Sequence, residues 1–224
     1  MRKLCAIAVL AAAHVAAAGM FGEPVSADST VPPERRVYLK GAGLERLSLE
    51  DVHSKGRIFL PQPGGWCNLC DRVGAFDPAS LDYLNLDYNS LSDVSVLPAF
   101  TGLKWLRLNE NRLSALPDLS ALKSLRRIYL RDNAFKSVPE TLKDLPSLDT
   151  IDLSGNADIK TVPDWLAAKE GLAHLNFSRT GIAGLPADLS AWRSLKSLQL
   201  GSLQIPLEEM KRIRSSLPDT AVVF

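Results

Sequence analysis

From Leu81 onward, leucines return at near-constant intervals in a fixed local pattern. LDYLNLDYNSL begins at Leu81, LKWLRLNENRL at Leu103 and LRRIYLRDNAF at Leu125; LDTIDLSGNADI follows at Leu148, LAHLNFSRTGI at Leu172 and LKSLQLGSLQI at Leu195. The intervals are 22, 22, 23, 24 and 23 residues. Each unit has the form L-x-x-L-x-L-x-x-N-x-L, and most continue with L/V-P-x-x-L. Period and phase held together over six copies predict an array of stacked units.

Within a unit the x-L-x-L core alternates with period 2, which predicts a short strand with one buried face. The apolar residues that follow, such as Leu113, Leu116, Leu119 and Leu122, fall three apart and suit a 3₁₀ turn or loose helix. Pro117, Pro139, Pro163 and Pro186 fix φ near the start of this return path. A single unit cannot bury its own leucines, so neighbours must stack to make one continuous core. Asn89, Asn111, Asn133 and Asn156 stand at the corner after each strand, where an amide can both donate to and accept from the turning backbone. Thr180 and Leu203 replace asparagine in the last two units.

This pattern resembles the leucine-rich repeat family over Leu81 to about Ile205. The resemblance implies an α/β solenoid, with a curved parallel sheet on the concave face and 3₁₀, loop or short helical returns on the convex face. It also implies that the four asparagines form a ladder, and that the chain works as a protein-binding scaffold. The expected organisation is residues 81–205 as six repeats, 28–80 as an N-terminal linker and cap, and 206–224 as a C-terminal capping helix and tail.

The flanks carry their own patterns. After Pro206, Leu207, Met210, Ile213 and Leu217 make one helical stripe, with Glu208 and Glu209 early and Lys211, Arg212 and Arg214 later. The expected role is a lid on the open end of the leucine core, and the final TAVVF can add an edge strand. Upstream, Val37-Tyr-Leu39, Leu47-Ser-Leu49 and Arg57-Ile-Phe-Leu60 are candidate cap strands, and Leu44 can also begin a degenerate seventh repeat.

At the start, Arg2 and Lys3 precede an apolar run from Leu4 to Ala18, broken only by His14. That is the pattern of a secretory signal peptide, and it is shorter than the roughly 20 apolar residues of a membrane span. Cleavage is expected after Ala27, with Ala18 as the alternative site and an uncleaved anchor as the alternative fate. The expected destination is the periplasm or the medium, with no stable membrane insertion once the segment is removed. Cys5 leaves with it, so Cys67 and Cys70 remain as a pair, and an exported pair favours a disulfide.

Composition narrows the function classes further. Lys+Arg 26 against Asp+Glu 25 gives a net charge of +1, which offers no basic surface for nucleic acid. Three histidines, and no phosphate-binding or H-E-x-x-H motif, leave little for catalysis. His174, Ser178 and Asp152 could be drawn as a triad, but nothing supplies an oxyanion hole. Trp66-Cys67-Asn68-Leu69-Cys70 resembles a thioredoxin-type motif, yet it follows Pro61, Pro63, Gly64 and Gly65 instead of a strand–motif–helix unit. The expectation is a non-enzymatic monomer without cofactor or metal. A thiol/disulfide-active protein using the cysteine pair is one alternative.

Outward strand positions in successive units should stack as columns about 4.8 Å apart. One column reads Tyr83, Trp105, Arg127, Thr150, His174, Ser197, and the next Asn85, Arg107, Tyr129, Asp152, Asn176, Gln199. A third carries Asp87, Asn109 and Arg131, with Tyr88 beside it. Aromatic and arginine side chains dominate interface hot spots, so Tyr83, Tyr88, Trp105, Arg107, Arg127, Tyr129 and Arg131 form the candidate site for a protein partner. A carbohydrate-binding module with Tyr83, Trp105 and Tyr129 as stacking platforms is the other alternative. Trp105 is expected to be exposed and dispensable for folding.

Overall fold

The computed structural model describes residues 35–60, 65–68 and 77–224. The signal segment at 1–27 and Cys70 therefore lie outside the described residues. The described strands are β1 (Arg36–Tyr38), β2 (Arg57–Leu60), β3 (Gly65–Asn68), β4 (Tyr83–Asn85) and β5 (Trp105–Arg107). They continue with β6 (Arg127–Tyr129), β7 (Thr150–Asp152), β8 (His174–Asn176), β9 (Ser197–Gln199) and β10 (Ala221–Val223). All belong to one sheet of order β10-β9-β8-β7-β6-β5-β4-β1-β2-β3, in which β1 and β4 to β10 are parallel. β2 and β3 join antiparallel beyond β1, with Cys67 opposite Ile58.

The pairing runs without slip. Leu84, Leu106, Ile128, Ile151, Leu175 and Leu198 lie side by side, and each is at most 1% exposed. Complete burial of such a side chain contributes about 1.5–3 kcal/mol, so the column is a principal source of cohesion. Behind it lies a second row, from Leu86, Leu108 and Leu130 to Leu153, Phe177 and Leu200. β1 extends both rows, because Val37 pairs with Leu84 and Leu39 donates its N–H to Asn85 O at 2.7 Å.

Upstream of β4 the details depart from the sequence pattern. Leu47-Ser-Leu49 is not a strand. Leu47 is buried and its N–H reaches Asp93 O, while Leu49 starts the helix α1 (Leu49–Lys55). Ser48 caps that helix by accepting from Asp51 N at 3.0 Å, and Glu50 and Asp51 fill the first turn, so local capping outweighs the alternation.

The returns also vary with their sequences. Single 3₁₀ turns occupy Leu97–Ala99, Glu140–Leu142 and Ser190–Trp192, and α2 (Asp164–Ala167) is one α turn. The stretch from Leu113 to Leu122, expected as a 3₁₀ turn or loose helix, has bends and turns instead. Trp192 is fully buried, and its indole N–H donates to Leu166 O at 2.9 Å, linking two consecutive returns.

At each corner the asparagine joins its own unit to the one before. Asn133 Oδ1 accepts from Leu113 N at 3.0 Å, while its Nδ2 faces the carbonyls of Leu108, Leu130 and Arg131. Asn89, Asn111 and Asn156 repeat this arrangement, and Asn89 reaches back to Leu39 O and Leu44 N. Thr180 Oγ donates only to Phe177 O within its own unit. The residue before each corner position is left-handed: Gly41, Tyr88, Glu110, Asp132, Gly155, Arg179 and Ser202 all have φ between 51° and 75°.

The C-terminal helix α3 (Leu207–Ser216) covers the end of the core with Ile213 and Leu217, both buried. Leu207, expected on that stripe, is 65% exposed. It occupies the first helical position after Pro206, one turn before the contact begins. Glu209 and Arg212 fasten the helix down. Glu209 Oε1 accepts from Leu185 N at 3.0 Å, and Arg212 donates to the carbonyls of Leu185, Pro186 and Ala187 while holding Glu209. The Arg212 guanidinium keeps the Glu209 carboxyl below its ordinary range. β10 then pairs with β9 in parallel, so the C-terminal tail does form an edge strand.

Two outcomes are expected. Asn133→Leu should cost roughly 1–3 kcal/mol in urea unfolding, since backbone groups of two units lose their partner, whereas Thr180→Val should cost less. Because the folded pKa of Glu209 is depressed, its contribution is present above the unfolded value and fades as pH falls through the folded one. Glu209→Gln should therefore lower the unfolding midpoint at pH 7, and the difference should shrink as acid titrates the carboxyl below its ordinary range.

Candidate functional site on the strand face

Opposite the leucine column, the strands carry the predicted site residues in the predicted order. Tyr83, Trp105, Arg127, Thr150, His174 and Ser197 are consecutive cross-strand neighbours, as are Asn85, Arg107, Tyr129, Asp152, Asn176 and Gln199. Exposure along them is uneven. Tyr83 is 7% and Trp105 9% exposed, and Asn85 and Asp87 are fully buried. The expectation that Trp105 is exposed is thus overturned. Strands less than 5 Å apart leave no room between large rings, so neighbouring rings cover one another. Tyr38 and Tyr83 have centroids 5.3 Å apart, Tyr83 and Trp105 meet edge-on at 6.0 Å, and the Arg127 guanidinium lies 4.2 Å from the Trp105 ring.

From β5 onward the face opens. Arg107 and Tyr129 are half-buried neighbours, with the guanidinium 5.5 Å from the phenol ring. Burial raises the Tyr129 hydroxyl above its ordinary pKa. Arg107 also holds Asp87, with Nε at 2.7 Å and Nη2 at 2.6 Å from one carboxylate oxygen. Burial pushes that carboxyl up, and Arg107 works against the shift. Further along, His174 is exposed and its Nδ1 lies 2.8 Å from Ser197 Oγ.

The corner beside this face is an ionic network. Arg131 pairs with Glu110 and Asp132, and Asp132 also pairs with Arg179 at 3.1 Å. The Asp132–Arg179 pair lies across Gly155, where a Cβ would fall 1.8 Å from Asp132 Oδ1. Gly155 is thus fixed twice, by its φ of 75° and by the carboxylate above it. Tyr88 stands apart at the corner, 47% exposed, with Lys40 Nζ 4.9 Å from its ring.

The strand pattern alone did not show a second set of rungs at the end of this face. Asp87 Oδ1 accepts from Asn109 N at 2.8 Å, and Asn109 Oδ1 accepts from Arg131 N at 2.9 Å. Within units, Asn85, Asp152 and Asn176 accept from the N–H two residues on. The signal for both sets was the enrichment of Asp, Asn and Ser at these offsets, which favours side-chain-to-backbone bonding.

The triad drawn from His174, Ser178 and Asp152 is not assembled. His174 meets Ser197, Ser178 Oγ accepts from Gly201 N, and Asp152 Oδ1 accepts from Ser154. Among the described residues no group of His, Cys, Asp and Glu could hold a metal ion, and no helix is long and apolar enough to cross a membrane. Trp105→Ala should destabilise the fold by about 3 kcal/mol, since burial makes this a core deletion. His174→Ala, by contrast, should shift stability by about 0.5 kcal/mol or less; thermal unfolding of both variants decides the point.

Comparison with known proteins matches this geometry. Residues 101–157 fit the family model described as leucine rich repeat. No curated protein matches the chain. Among solved structures, a leucine-rich repeat protein of Leptospira interrogans is 28% identical, with a TM-score of 0.60, covering 65% of this chain and 37% of that one. An internalin of Listeria monocytogenes is 21% identical, with a TM-score of 0.57, covering 65% of this chain and 42% of its own. A plant peptide hormone receptor, RGFR1 in complex with RGF2, is 24% identical, with a TM-score of 0.50, over 65% of this chain and 28% of that one. This chain therefore spans less than half the length of the structures it resembles. With the unit matched in sequence and the strands stacked in one unslipped register, the repeat region of this chain is a leucine-rich repeat solenoid.

Proposed function

We propose that the chain is an exported, non-catalytic scaffold that binds a protein partner through its concave strand face. The observation that carries this reading is the graded exposure of that face. Tyr83 and Trp105 form a buried aromatic row, and from β5 onward Arg107, Arg127, Tyr129 and Arg131 rise half-exposed from it. Side chains already held in place by stacking and ion pairs lose little freedom on binding, which favours affinity. The anchors of this reading are therefore Arg127 and Tyr129, with Arg107 and Arg131 flanking. Tyr83 and Trp105 act as their support, and Tyr88 lies at the rim.

The covered Trp105 ring argues against sugar stacking, because its accessible face is taken by Arg127. Export rests on the N-terminal residues, and the Cys67–Cys70 bridge rests on the pairing expected of an exported chain. The complexed plant receptor supports a binding role by analogy alone.

A photo-crosslinking side chain at His174 or Gln199, on the strand face, should give a specific adduct in cells that make the protein. The same group at Lys143, on a return segment, should give none. Tyr129→Ala should weaken binding of the captured partner by about 2 kcal/mol, measured by titration calorimetry. Adducts from Lys143 alone would place the interface on the returns and sink this reading.

A further inference from the structure

Arg127 differs from Arg107, Arg131 and Arg179 on the same face and its corner. Arg107 is committed to Asp87, Arg131 to Glu110 and Asp132, and Arg179 to Asp132. Arg127 has no carboxylate within ion-pair distance among the described residues; it stacks on Trp105. One face of its guanidinium is covered by the indole, which leaves the in-plane N–H groups to meet a planar, bidentate acceptor. Because the stack already restrains this long side chain, an incoming anion need not order it.

The surroundings specify the kind of anion. Nucleic acid or a sulfated polymer needs several unpaired cations in a row. Here Arg107, Arg131 and Arg179 are already neutralised, so among the described residues of β5 to β8 the strand face presents Arg127 as an isolated positive group. Beyond it, Asn176 and Gln199 are half-exposed amides that can pair with a peptide backbone.

Resting on the concave-face reading, we propose that the face receives an extended peptide segment whose single essential charge is an Asp or Glu carboxylate seated on Arg127. Asp152 on β7, the cross-strand neighbour of Tyr129, restricts that charge to one place. A second carboxylate displaced toward β7 would meet it and be repelled. The partner segment is thus acidic at one position and neutral on the β7 side of it.

The test is a displayed library of random twelve-residue peptides, panned on the full chain. Enriched peptides should share one acidic position. Replacing that Asp or Glu by Asn or Gln should weaken binding to the natural chain tenfold or more. The same replacement should change binding to Arg127→Gln less than twofold, and Arg127→Lys should recover only part of the affinity. The peptide replacement alone keeps the test valid if an Arg127 variant folds poorly. Enrichment of neutral peptides, an amide replacement without effect, or no enrichment at all would each overturn the acidic-segment inference. Crosslinking the enriched peptides separates the two readings. Neutral peptides attached to strand-face residues leave the concave-face reading standing, while attachment to the returns removes both.

Discussion

At every corner of the coil the backbone leaves the sheet before the next return begins, and its N–H and C=O groups turn away from the parallel ladder inside a packed protein. Buried groups in that position must be paired or the fold loses a few kcal/mol at each turn. One amide per unit meets the need from Asn89 to Asn156, accepting from the unit before and donating to carbonyls of both. The leucine rows can then lie in unslipped register, because each unit is held to its neighbour at the sheet and at the corner. The left-handed column just ahead of the amides belongs to the same solution. A non-glycine residue there carries a conformational penalty of about 1–2 kcal/mol, and most units accept it to bring the amide inward.

The strand face follows from that register. Strands locked at fixed spacing give their outward side chains no freedom to spread, so chemistry at each position is decided by what stands one strand away. Where bulky rings are neighbours they close over each other, as at Tyr38, Tyr83 and Trp105. Where a ring meets an arginine, the cation is held flat upon it, as at Trp105 with Arg127. Beyond Thr150, at His174 and Ser197, the face opens. A graded surface thus arises from side-chain volume alone.

Much of this was legible in the sequence because the repeat constrains each position many times over. The strand columns, the corner asparagines, the failure of the ladder at Thr180 and the edge strand near the C-terminus all follow from phase and chemistry. What was not legible depends on contacts between units instead of within them. Alternation assigns Trp105 to the outward side, but only the ring on Tyr83 and the guanidinium of Arg127 make it buried. Likewise Leu47 and Leu49 obey the strand pattern, yet Ser48 and its acidic followers cap a helix there. The Asp87–Asn109 rungs were hidden because their acceptors serve the next unit, about 22 residues away in sequence. The pairing of Arg107 with buried Asp87 was invisible for the same reason.

The hydroxyl of Thr180 has one further consequence. Corner amides knit β4 through β7 into a block, while the unit of β8 is tied to that of β7 by the Trp192 indole on Leu166 O and to α3 by the Glu209–Arg212 clasp. The solenoid therefore has a seam between two blocks with different fastenings, one made of backbone-mimicking amides and one of an aromatic and an ion pair. Local opening in such arrays proceeds by cooperative blocks, so exchange of amide protons should step at this seam instead of declining smoothly toward the end. The C-terminal block can then open without the other, shortening the coil by whole units while Arg127 and its neighbours stay seated on the intact one.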